Sequence, residues 1–414
     1  MKLDYKWRVV GMLWGISFFN YADRQAIFSV FPLLQQQMHL SNVQLGLLGS
    51  SFAVVYGLSS PFAGALVDRI RRVTAILGGL CVWSTICMAT AVSRNFQHLL
   101  FFRAAEGLGE TLYFPASMSL VSDYHTKATR SRAMGFHQTS VYIGTIAGGF
   151  FAGLIGQRYG WRWSFVFFGG LGCLYGLLLQ RGLREPVRGA AEETPEPETT
   201  LGWGATLRLI LSTPTAVCLL AAFLFANFVA MVLLSWMPKF LYDKFNLNLA
   251  MAGLTATLFT QLASMAGAAS GGWLADAWRR RTTPGRLWVQ ALGVFGGAPF
   301  VVLCGLTDAI PVLLVALTAW GFFKGLYDAN IFASMFDVVP PRARGSAAGL
   351  MNTIGWLGGA GTAPLVIGWI SQSRGLGVAI ATAAAVYALA GLSLVAGGFL
   401  MGRGPRQPAM STGS

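Results

Sequence analysis

Runs of about 20 predominantly apolar residues, parted by short polar breaks, recur along the whole chain, and this pattern constrains the fold more than any other feature. A helix of that length crosses the ~30 Å hydrocarbon layer of a bilayer. Inside that layer only helices and closed barrels satisfy every backbone N–H and C=O. Twelve spans are expected, at residues 8–31, 43–67, 73–93, 98–121, 133–156, 162–180, 214–238, 249–275, 287–306, 310–335, 345–370 and 377–401. They are rich in Gly, Ala and Ser, which let helices approach closely in lipid. Only 11% of the 414 residues are charged, against about 25% in soluble domains, too few to cover a water-facing surface. The expected fold class is an all-α polytopic membrane protein with twelve transmembrane helices in two pseudo-symmetric six-helix bundles.

The basic residues orient that arrangement. With the amino terminus inside, 21 of the 30 Lys and Arg fall in cytoplasmic segments and 6 on the opposite side, while Arg24, Arg103 and Lys324 lie within spans. Such a bias marks the cytoplasmic face, so both termini are expected there, with the chain multi-pass in the cell inner membrane. The acidic, Pro-containing stretch after residue 183 reads as a linker. The expected units are residues 1–183, a six-helix bundle; 184–210, a cytoplasmic linker; 211–402, a second bundle; and 403–414, a tail. An internal repeat supports two halves. Gly64 and Gly272 stand 208 apart; Asp123 and Asp337, Arg130 and Arg344, and Gly135 and Gly349 each stand 214 apart. Asp23 and Arg24 interrupt any signal-peptide core, and no small-residue cleavage site follows, so the first span is expected to be retained.

Several function classes find no support. The net charge of +14 comes from short clusters between apolar runs, not from one basic face, so nucleic-acid binding is not expected. The five cysteines lie in apolar stretches without metal-ligand spacing and read as buried thiols. No Gly-Lys-Ser/Thr phosphate loop exists, and Gly107 and Gly109 sit inside an apolar helix as packing residues. No enzyme activity, cofactor or metal is expected.

Several motifs carry a resemblance. Gly64-x-x-x-Asp68-Arg69-x-x-Arg72, with the partial second copy Gly272, Asp276 and Arg280, is similar to the loop signature of the major facilitator superfamily, as is Arg103-x-x-x-Gly107-x-Gly109 to its fourth-helix motif. Arg71 replaces the usual glycine of the first copy, and Ala277 the first arginine of the second. The resemblance implies a conformational latch at the helix ends in one access state, built from Gly64, Asp68, Arg69 and Arg72 with Asp123, Arg130, Asp276, Arg280, Asp337 and Arg344. Within that superfamily, "NYADRQ", "GLLGSSFAVVYG" and "GWRWSF" resemble bacterial spinster-like transporters. "GETLYFP" and "GLMNTIGWLGG" resemble the organic anion:cation symporters of sugar acids, in which an Asn usually stands at the position of Trp356.

Ionised groups at mid-bilayer cost about 2.5–3.5 kcal/mol each on insertion scales, so they are expected to face a watery cavity or to pair. Arg103 and Glu110 fall nearly in line on one helix, with Glu106 to one side; Lys324 and Asp328 share a face at i and i+4. Neutral structural pairing is the bland reading, strongest for Glu106 beside Arg103. By resemblance to the anion symporters, Asp23 and Glu110 are the proton-coupling acids, and Arg24 and Arg103 bind a carboxylate. Lys324, Tyr113, Tyr327, Asp328, Asn352, Gln138 and Gln261 complete the expected substrate site. Asn20, Tyr56, Asn227 and Asn330 also stand near it, with cavity-lining and helix-bridging roles both open. His137 reads as structural, and Trp236, Trp320, Trp356 and Trp369 as packing or interface anchors. Three cations against four acids leave −1; protonating Asp23 and Glu110 gives +1, which a monoanion neutralises. The expectation is a monomeric secondary transporter in the bilayer, moving a small organic anion with protons by alternating access. A lysophospholipid carrier is the alternative, and a non-transporting ligand sensor the alternative of another class.

Overall fold

The computed structural model describes residues 4–187 and 203–403, and no strand occurs among them. The helices are α1 (Tyr5–Ser29), α2 (Phe31–Met38), α3 (Asn42–Arg69), α4 (Arg72–Thr90), α5 (Phe96–Glu110), α6 (Tyr113–Tyr124), α7 (Lys127–Tyr159) and α8 (Trp161–Leu179). After the linker come α9 (Trp203–Leu211), α10 (Pro214–Phe245), α11 (Leu249–Arg279), α12 (Gly285–Leu306), α13 (Ile310–Asp328), α14 (Ile331–Val338), α15 (Arg344–Ile354), α16 (Ala363–Arg374) and α17 (Leu376–Arg403). Most of the expected linker and tail lies outside the described residues, but the linker's last part forms α9, with Ile210 buried. Among the described residues, ten spans are long and apolar enough to cross a membrane. Of the twelve expected spans, the two that do not reach that standard, α1 and α5–α6, are those that carry Asp23, Arg24, Arg103, Glu106 and Glu110.

Local chemistry repeats between the halves. His39 (φ 53°) and Asn246 (φ 54°) end α2 and α10 in the left-handed conformation, which stops a helix by turning its next N–H away. Two residues later, Ser41 and Asn248 cap α3 and α11. Ser41 Oγ accepts from Gln44 N at 3.2 Å, and Asn248 Oδ1 from Met251 N at 2.9 Å. Both pairs stand 207 apart (246 minus 39, 248 minus 41). The interruptions repeat too: α5 gives way to α6 just after Glu110, and α13 to α14 just after Asp328. A third break, the π-helical segment Gly355–Ala360, separates α15 from α16. Irregular backbone at this depth is tolerated where it is buried in protein or lines a cavity.

The halves meet at the end of the bundle remote from residue 5. There the backbones touch: a Cβ added to Gly253 would stand 2.0 Å from Gly149 O, and one on Gly153 2.3 Å from Leu249 O. Asn42 Nδ2 donates to Ser371 Oγ at 2.9 Å, Gln25 Nε2 to Leu234 O at 3.1 Å, and the Phe31 and Trp236 rings lie 5.6 Å apart. A core running through Phe28, Phe31, Trp236 and Ile367 continues across this seam. A second core, with Leu13, Trp83 and Tyr113, stays within the first half.

Candidate functional site

A chamber of about 190 Å³ lies between the halves. The first half contributes Arg24 from α1, Phe52 from α3, Arg103 from α5 and Gln138 from α7; the second contributes Gln261 from α11, Lys324 and Asp328 from α13, and Trp356 from the π segment. Four of these groups, Arg103, Lys324, Asp328 and Trp356, stand on interrupted helices, so each break brings a polar or aromatic side chain to the chamber.

Every cation on the wall has an acid. Arg24 Nε donates to Glu110 Oε2, Arg103 Nη1 to Glu106 Oε2 and Lys324 Nζ to Asp328 Oδ2. Glu106 and Glu110 are sealed behind the arginines, with fully buried carboxylates. Arg24 Nη1 and Arg103 Nε are buried without an acceptor. Four rings surround the Arg24 guanidinium: Tyr21, Phe52, Tyr56 and Trp356, with centroids 4.7–5.4 Å from Cζ. Phe52 also lies 4.9 Å from Arg103 Cζ, so one ring serves both cations.

Asp23 does not line the chamber. It is 2% exposed, and its Oδ1 has no partner. A ligand atom of Asp23, one of Cys87 and one of Glu106 lie within 4.8 Å of one another, all three residues buried. Glu106 Oε1 likewise has no hydrogen-bond partner. Tyr113 and Tyr327 stand in the cores, 3% and 2% exposed. The Tyr113 hydroxyl donates to Leu13 O at 2.6 Å and lies 2.8 Å from His137 Nε2. Asn352 is half-buried one helical turn before the chamber's Trp356. Of the other polar residues, Asn227 donates to Phe223 O, and Asn330 to Gly271 O and Leu326 O. The sequence reading missed Tyr21, Gln25, Phe52 and Tyr142 on the wall, and it took Trp356 for an anchor.

At the other end of the bundle two clamps occupy equivalent places. Arg72 is 2% exposed and pairs with Asp123; its Nε reaches Glu185 Oε1 at 3.0 Å. Arg286 reaches Asp337 at 2.7 Å and Asp276 at 3.3 Å, and Arg279 reaches Asp337 at 3.2 Å. Arg286 follows Arg72, and Asp337 follows Asp123, by the same interval (286 minus 72 and 337 minus 123 are both 214). Arg69, Arg280 and Arg344 are exposed, Gly64 has open space around its Cα, and Arg130 donates to Ser122 O and His125 O. The Asp68 side chain lies outside the described residues.

Glu185 was no part of the expected latch, yet it caps α4 with hydrogen bonds from Arg72 N at 3.1 Å and Val73 N at 2.8 Å. Burial pushes its carboxyl up, but these bonds, with Arg72, outweigh burial and hold it below the ordinary glutamate range. A depressed acid stabilises the fold above its ordinary titration range and loses that contribution as pH falls through the lowered value. Glu185→Gln is expected to cost about 1–3 kcal/mol at neutral pH. Melting curves of the two proteins in detergent should converge as pH falls through the carboxylate range; a pH-independent gap would contradict this account.

The chain's likenesses fit this geometry. A family model described as Major Facilitator Superfamily matches residues 13–363 and, in a second match, 240–413. A hexuronate transporter of Bacillus subtilis is 28% identical over 369 residues, 86% of either chain. A D-galactonate transporter of Escherichia coli is 25% identical over 415 residues, 91% of either chain. The human protein spinster homolog 1 is 26% identical over 390 residues, 88% of this chain and 72% of its own. The fold matches a crystal structure of a bacterial homologue of the human lysosomal transporter Spinster, inward-facing and unoccupied. The TM-score is 0.89 at 21% identity, covering 99% of this chain and all of that one.

Proposed function

This chain belongs to the Major Facilitator Superfamily, and on that premise we propose that it carries a small organic anion together with protons by alternating access. It is a transporter and not an enzyme. The observation that carries the reading is the chamber wall: Arg24 and Arg103 from one half, each with a buried unspent donor, face Lys324 from the other half. Charge-assisted hydrogen bonds from two guanidinium groups match the planar fork of a carboxylate. The named substrates of the hexuronate and galactonate transporters belong to this class.

In this reading the anion competes with Glu110 for Arg24, and the proton competes with Arg24 for Glu110, so each uptake favours the other. Arg24 and Arg103 each hold a glutamate, and Asp23 is the surplus acid, which keeps its proton while both pairs are intact. An anion arriving at Arg24 frees Glu110, which then takes a second proton from the watery side. Counting α1 and α5–α6 as spans gives twelve, in two six-helix units, with the seam marking the closed outer face. The monomer would sit in the inner membrane with both termini in the cytoplasm, where the clamps also lie. The likeness to spinster proteins favours a lysophospholipid as second reading. The chamber's size weighs against it, because about 190 Å³ is below the roughly 300–1,000 Å³ of pockets for drug-sized ligands.

Proteoliposomes loaded at a defined internal pH test both readings. Radiolabelled glucuronate or benzoate is expected to accumulate only when a proton gradient runs in the direction of uptake, and lysophosphatidylcholine is not. Lysolipid transport with no uptake of either anion would overturn the proposal.

A further inference from the structure

The chamber's wall specifies more than a negative charge. Apart from its ionised groups it is mostly apolar, with five aromatic rings and Val141, Met231 and Leu234 facing it. The amides are few and partly spent: Gln25 Nε2 is given to Leu234 O. Thr145 Oγ1 also donates into its own helix, to Val141 O at 2.7 Å. Gln138, Gln261, two tyrosine tips and the Lys324–Asp328 pair remain to meet hydroxyls. A hydroxylated sugar acid is polar around its whole rim. Each of its hydroxyls buried without a partner would cost roughly ten- to a hundredfold in affinity.

The polar groups are also concentrated. The guanidinium carbons of Arg24 and Arg103 each lie 4.9 Å from the Phe52 ring, and each side chain keeps a donor without an acceptor. Trp356 approaches from the other half, its ring 6.3 Å from Phe52 and 5.4 Å from Arg24 Cζ. The arrangement is a cationic end bordered by an aromatic wall, in which Phe52 and Trp356 meet edge to face. We propose that the substrate is a compact aromatic monocarboxylate, with its carboxylate on Arg24 and Arg103 and its ring against Phe52 and Trp356. Rings offset or edge-on to one another at centroid distances of about 4.5–7 Å attract beyond simple burial. This rests on the anion-transport reading above and narrows it. Trp356 then determines specificity. It supplies the second half's part of that aromatic wall, and a polar amide in its place would exchange a ring for a hydroxyl partner.

Competition against radiolabelled benzoate, with the full chain in proteoliposomes, tests this. Wild type is expected to bind benzoate at least about tenfold tighter than glucuronate. Trp356→Asn should erase or invert that ratio, while Trp356→Phe should keep it. Counterflow by each variant shows whether it is folded. Preference of the wild type for glucuronate, or a ratio unmoved by Trp356→Asn in an active variant, would overturn this inference and leave anion transport standing. Binding of neither acid would overturn both. Because the readout is a ratio between two ligands, a merely structural role for Trp356 would lower both affinities and leave it unchanged.

Discussion

Glu110→Gln protein is expected to lose proton-driven accumulation of its anion completely, while still exchanging labelled for unlabelled anion across the membrane. The amide keeps the shape of the carboxyl but cannot take up and release a proton. It also leaves Arg24 with no competing charge, so the anion should bind more tightly and leave more slowly. Proton-driven uptake should therefore fall at least about tenfold, toward simple equilibration, with the apparent KM lowered. Removing one member of a buried ion pair costs about 3–5 kcal/mol when the other stays charged. A melting curve and the exchange assay separate loss of coupling from loss of fold. Accumulation at the wild-type level under a pH gradient would remove Glu110 from the coupling mechanism.

The second large effect lies in the seam. Gly253 has no room for a side chain, because its Cβ would stand 2.0 Å from a backbone oxygen, that of Gly149, which cannot swing aside. Gly253→Val should leave each half folded but prevent the halves from closing at this end. Overpacking costs typically 1–3 kcal/mol, and the loss falls on only one of the two access states. That shifts their ratio roughly ten- to a hundredfold toward the outward-open form, and net transport should drop by a similar factor. Ser29 is 1% exposed, and its Oγ lies 3.1 Å from the point that a Cβ on Gly253 would occupy. A membrane-impermeant maleimide applied from outside should therefore label Ser29→Cys much faster when Gly253→Val is also present. Equal labelling with and without the valine would contradict the idea that this seam is the outer gate.

How far these features are readable without coordinates depends on their chemistry. Arg24, Arg103, Lys324 and Asp328 are legible because a charge in an apolar run has few places to go, and all four line the chamber. Phe52 and Tyr21 are not legible, because an aromatic ring in an apolar helix looks the same whether it faces lipid, core or cavity. Trp356 shows the same ambiguity, made harder by the π segment, which shifts the helical phase around it. Arg286 was within reach: shifting Arg72 by the interval that relates Asp123 to Asp337 lands on it. Glu185 carried no such signal, since its role depends on where the chain passes after α8. Tyr113 lies on α6, past the break after Glu110, and its hydroxyl turns into the first half's core instead of the chamber.

The seam of glycines has an energetic consequence of its own. When two oily surfaces part, water must wet them, and the cost grows with the area. Around Gly149, Gly153 and Gly253 the contact is backbone on backbone, beside the apolar patch of Phe28, Phe31, Trp236 and Ile367. Parting the glycine stretch hands carbonyl oxygens to water, which hydrates them well, so the hydrocarbon bared is that of the apolar patch. In the proposed alternating-access cycle the glycine stretch therefore adds little to the cost of opening, which leaves the binding energy of one small solute able to tip the balance between the two states.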